Sequence, residues 1–73
     1  MATVPELSPV KSSNIAAVAH EGDTLFVRFN SGAVWKYHGV SPEAFAAFRL
    51  APSIGRHFAQ LIKPHHPGEK VSG

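Results

Sequence analysis

A change of hydrophobic period near Ser41 constrains this chain more than any other feature. Before it, apolar and polar residues alternate; after it, apolar residues recur every three to four positions. Ile15 to His20 is a short apolar run closed by Glu21-Gly22-Asp23, which reads as a strand entering a turn. Thr24 to Asn30 is aromatic and β-branched, with Leu25, Val27 and Phe29 on one face. Asn30-Ser31-Gly32 is a tight-turn signal, with Gly32 free to take positive φ. Ala33 to His38 is the returning strand, with Trp35 and Tyr37 on one face and Val34 and Lys36 on the other. Short connections make these three an antiparallel meander.

Ser41-Pro42-Glu43 then opens a helix: Ser41 caps, Pro42 suits the first helical position, and Glu43 lies where the helix dipole favours an anion. Phe45 and Phe48 share its buried side, and Pro52 ends it. Ser53 caps a second helix, whose apolar stripe is Ile54, Phe58, Leu61 and Ile62 and whose polar stripe is Arg56, Gln60 and Lys63. Strands followed by helices argue an α+β fold: a three-stranded antiparallel meander followed by two short helices packed on one sheet face. On this reading Leu25, Val27, Phe29, Trp35 and Tyr37 meet the helices. Val18, His20, Phe26, Arg28, Val34 and Lys36 lie on the uncovered face.

Residues 1–9 carry two prolines and little periodicity, and read as a flexible N-terminal arm. Residues 10–64 form the single domain, and 65–73, framed by proline and glycine, read as a disordered tail. A chain of 73 residues has room for one small core. Such cores supply only about 3–5 kcal/mol, so a deep substrate pocket is disfavoured. Without cysteine there is no disulfide framework, thiolate zinc site or cysteine nucleophile. No basic start with a long apolar run marks a signal peptide, and no stretch is long enough to span a membrane. The expectation is a soluble, intracellular monomer.

Charge is uneven. Between Thr24 and Pro67, five cations stand against Glu43 alone, a net of +4 within an overall +2. That balance points to an acidic partner, protein or nucleic acid. The first candidate surface is the sheet face of Phe26, Arg28, Val34 and Lys36, an apolar centre with a basic rim. The second is the Arg56 and Lys63 side of the last helix, with Arg49 beside it. Neither the five histidines nor the domain's acids, Glu21, Asp23 and Glu43, fall in a metal-ligating or catalytic pattern. No enzyme activity, cofactor or metal is therefore expected.

Four segments carry a family resemblance. They are Ser12-Ser13-Asn14-Ile15; Leu25-Phe26-Val27-Arg28-Phe29-Asn30-Ser31-Gly32; Trp35-Lys36-Tyr37-His38-Gly39-Val40-Ser41-Pro42; and Ala51-Pro52-Ser53-Ile54-Gly55-Arg56-His57-Phe58. Together these resemble the KTSC domain, named for its place at the C-terminus of some lysyl-tRNA synthetases and found also in bacterial and phage proteins. Ala19-His20 stands where a Tyr-Asp pair is common, and Ala59 where Asn often follows the Phe. Both departures remove polar side chains. The synthetase association implies an RNA- or nucleic-acid-binding module. The free-standing length is similar to that of small phage-encoded regulators that bind host bacterial RNA polymerase. This second resemblance implies contact with the N-terminal part of the β′ subunit, inhibition of initiation, antitermination, and action in the cytoplasm of the bacterial host.

Overall fold

The computed structural model describes residues 6–72. Strand β1 (Ser8–Pro9) is followed by β2 (Ile15–Glu21), β3 (Thr24–Phe29) and β4 (Val34–His38). Helix α1 (Pro42–Arg49) follows, then α2 (Ile54–His57), which continues as a π-helical turn over Phe58–Ile62, and finally β5 (Gly68–Ser72). The sheet order is β1-β2-β3-β4-β5, antiparallel throughout.

The arrangement remains α+β, but the expected three-stranded meander is corrected to a five-stranded sheet. β1 adds to the free edge of β2, and β5 adds to the free edge of β4. β1 is two residues long and includes a proline, too short to show alternation. β5 lies inside the stretch 65–73 that had been set apart as a disordered tail. Residues 1–5 of the expected arm, and residue 73, lie outside the described residues.

The helix starts follow their local chemistry. Ser41 Oγ accepts from the Ala44 N–H at 3.1 Å, with Pro42 just inside the helix and Glu43 in its first turn. Ser53 Oγ accepts from the Arg56 N–H at 3.4 Å. Each cap satisfies an N–H that the helix itself leaves unpaired.

The core joins Ile15, Val18, Leu25, Val27 and Tyr37 of the sheet to Val40, Phe48, Phe58 and Ile62. The Phe58 ring stands edge-on to Tyr37 at 5.1 Å and to Phe29 at 5.6 Å, the offset geometry that aromatic quadrupoles favour. Two assignments are corrected here. Glu21 pairs with Thr24 across the two-residue Gly22-Asp23 turn, so Val18 faces Val27 and His20 faces Leu25. Val18 and His20 therefore lie on the helix side, and Ala17 and Ala19 take the opposite face. The His20 ring stacks on Phe45 at 4.8 Å, and its Nε2–H donates to Val40 O at 2.6 Å.

Leu61 is the second correction: expected in the buried stripe, it is 51% exposed. The Lys63 N–H bonds to Phe58 O at 2.8 Å, an i to i−5 closure. That wider turn swings Leu61 off the sheet while Phe58 and Ile62 both stay buried. No helix among the described residues is long and apolar enough to cross a membrane.

Candidate protein-docking surfaces

The sheet face turned from the helices carries Ala17 and Ala19 from β2, Phe26 and Arg28 from β3, Val34 and Lys36 from β4, and Glu69 from β5. It is not the exposed apolar centre with a free basic rim that alternation alone suggests. Phe26 is 8% exposed and Val34 4%. Lys36 is engaged by the fifth strand: its Nζ lies 3.0 Å from Glu69 Oε1, and His38 Nε2 lies 3.4 Å from the same oxygen. The hydrogen bond from Lys36, then that from His38, holds the Glu69 carboxyl below its ordinary range. Arg28 stays exposed, unlike its three sequence-grouped neighbours.

The helical side is different. Arg56 and Lys63 are both exposed, as expected from the polar stripe of the last helix. Two large hydrophobics join them: Leu61, expected in the buried stripe, and Leu50, not assigned to either surface. Leu50, which caps α1, is 83% exposed, and Leu61 projects from the π-helical turn. Leu50 borders a cleft of about 310 Å³ formed with Phe45, Ala46 and Arg49. Arg49 is held over the Phe45 ring, its guanidinium carbon 5.7 Å from the ring centroid. Leu61 borders a second cleft, about 260 Å³, with Pro52, Arg56, His57 and Gln60. The turn Leu50-Ala51-Pro52 joins the two, since Leu50 lines the first and Ala51 and Pro52 line the second.

A third cleft of about 420 Å³ separates Lys11-Ser12-Ser13-Asn14 from Ser53-Ile54-Gly55-Arg56. The Ser12 hydroxyl accepts from the Ile15 N–H at 3.3 Å and shapes the entry to β2. Gly55 lets the two segments approach. A Cβ there would lie 2.8 Å from Asn14 Oδ1 and 3.2 Å from Ser12 Oγ, tighter than side chains normally sit. Two of the four segments that carry the family resemblance thus meet at one place. The geometry assigns Gly55 a packing role.

Of the six residues singled out from the sequence, the fold separates Phe26, Arg28, Val34 and Lys36 on β3 and β4 from Arg56 on α2 and Lys63 at the end of the π-helical turn. Leu50 and Leu61 were missed as surface residues. The signal for Leu50 was its place after the final helical turn, just before Ala51-Pro52.

The KTSC domain model matches residues 11–66, most of the chain. The chain belongs to the KTSC domain family. It is 41% identical over 59 residues to an uncharacterized protein of Stutzerimonas stutzeri, covering 78% of this chain and 83% of that one. It is 37% identical over 60 residues to a protein of Tsukamurella paurometabola, covering 80% and 90%. The fold is similar to the crystal structure of a KTSC domain protein from Yersinia pestis. That match has a TM-score of 0.86 at 30% identity, over 92% of this chain and 97% of that one.

Proposed function

We propose that this KTSC domain is a non-catalytic regulator that binds bacterial RNA polymerase through the N-terminal part of its β′ subunit. In this reading it inhibits transcription initiation and promotes antitermination, acting in the cytoplasm of a bacterial host as a phage-encoded protein. The observation that carries the protein-binding part is the helical surface, where exposed Leu50 and Leu61 border clefts lined by Arg49 and Arg56. Apolar area to exclude water, with cations to orient an acidic partner, is the chemistry of a protein interface. The polymerase itself is proposed from the likeness of this small domain to phage regulators.

A domain of 73 residues covers little of a polymerase. It acts instead by differential affinity, stabilising one polymerase conformation or disfavouring σ engagement. A titration of isotope-labelled protein with the N-terminal β′ fragment tests the reading. Amide shifts gathered on one patch support it; no shift at saturating fragment removes it.

A nucleic-acid-binding role is the second reading, favoured by the polar cleft where Lys11 and Arg56 flank Ser12, Ser13, Asn14 and Ser53. Cations beside hydroxyl and amide groups suit phosphate contacts. That reading predicts binding to RNA that falls steeply with salt. A flat gel-shift at low salt would exclude it.

A further inference from the structure

We propose that the helical end of the domain, around Leu50 and Leu61, docks an acidic amphipathic segment of a partner protein. This rests on reading the domain as a protein-binding module, and names the surface and the chemistry of what fills it.

Leu50 and Leu61 are the exposed large hydrophobics among the described residues. One exposed leucine is ordinary. Here each borders a cleft, and consecutive residues, Leu50 of the first and Ala51 of the second, link the two along the chain. Clefts of about 310 and 260 Å³ can each receive an apolar side chain. Burying a leucine-sized group is worth about 1.5–3 kcal/mol.

Charge decides the kind of segment. Arg49 borders the first cleft and Arg56 borders the second. From Ala44 to Gly68 the chain carries no aspartate or glutamate. Among the described residues, the ion pairs are those of Lys36 and His38 with Glu69, so neither Arg49 nor Arg56 is engaged by one. A complementary segment offers apolar anchors into the clefts and carboxylates to the cations. A second copy of this chain fits poorly, because a two-fold interface would set the cationic cluster against itself. Nucleic acid would use the cations but leave the leucines in water.

The test uses the intact protein and a synthetic peptide of about 15 residues. The peptide carries leucine and phenylalanine at helical spacing with aspartate and glutamate between them. Its counterpart has lysine at every acidic position. Amide shifts should cluster within residues 45–63 with the acidic peptide and be absent with the basic one. L50S, L61S and R56E, all at exposed positions, should each weaken binding about tenfold while leaving the remaining spectrum unchanged. Equal binding of both peptides, shifts confined to the sheet, or unchanged affinity in all three variants would overturn the proposal. Two further outcomes would also overturn it. One is leucine-dependent binding to vesicles of equal phosphatidylcholine and phosphatidylserine without peptide binding. The other is a sedimenting dimer abolished by L61S. If polymerase is captured undiminished by the variants, this surface fails and the polymerase reading stands. If the peptide binds as described but polymerase is not captured, the reverse holds.

Discussion

Gly68 faces Tyr37 across the β4–β5 ladder so closely that a Cβ at position 68 would lie 2.6 Å from the ring's Cδ1. The ring cannot simply swing aside, because it is buried and packed edge-on against Phe58. Gly68→Ala should therefore destabilise the protein by about 1–3 kcal/mol, the usual range for overpacking. The contrast is Gly55→Ala. Its nearest obstacles are the side-chain ends of Asn14 and Ser12, which lie outside the core and can move. Removing a helical glycine recovers about 0.5–1 kcal/mol, so the net change should fall within about 1 kcal/mol of zero. Urea unfolding of both variants checks the ordering.

Tyr37 is the chain's one tyrosine, so its ionisation can be followed alone by ultraviolet absorbance. Burial raises its phenol above the ordinary value of 10.0. The unfolded chain then loses its proton at lower pH than the folded one. Tyr37's contribution to stability is intact below the ordinary value and is lost as pH rises through the higher folded value. Absorbance should show a late alkaline transition that reverts to the ordinary value in denaturant. A midpoint at the ordinary value in the folded protein would mean that the ring is not buried.

Glu69 behaves in the opposite sense. Lys36 and His38 lower its carboxyl, so its contribution is present above the ordinary carboxylate range and lost as pH falls through the lowered value. A carbon-detected NMR titration should place Glu69 below the ordinary glutamate range. Lys36→Met should move it back up. An unchanged midpoint in that variant would remove Lys36 as the main cause.

Phe48 and Leu50 lie two positions apart with opposite fates: Phe48 is fully buried and Leu50 is 83% exposed. Phe48→Ala should cost about 3–5 kcal/mol. That is comparable with everything a core this small supplies, so the variant should be largely unfolded. Leu50→Ser and Leu61→Ser should stay within about 0.5 kcal/mol of the parent. Circular dichroism during thermal unfolding distinguishes them.

These residues also show where sequence reasoning reaches and where it stops. The middle three strands, both helix starts and the Phe48 and Phe58 anchors follow from alternation, capping and helical spacing. Those signals are local. β5 is not local: Gly68–Ser72 has Val71 as its one large apolar residue and follows Pro64 and Pro67. Its place in the sheet depends on Gly68 meeting Tyr37 and Glu69 meeting Lys36, about thirty residues back. The faces of Val18 and His20 depend on the parity set by the Gly22-Asp23 turn; a change of one residue there would invert them. Leu61 reads as buried on α-helical spacing and is exposed because Phe58–Ile62 winds as a π-helix. The candidate site shares that fate. Arg56 and Lys63 were legible as a polar stripe. The leucines that complete the surface were not, because their exposure is decided by a winding change and by the end of α1.

The central claim, that this domain binds bacterial RNA polymerase, is tested most directly by calorimetric titration against core polymerase and against the σ-bound enzyme. The account predicts a saturable one-to-one complex, with affinities that differ between the two forms and competition from the N-terminal β′ fragment. Absence of heat and of complex with both forms would contradict the binding claim; equal affinity for the two would contradict the proposed mechanism.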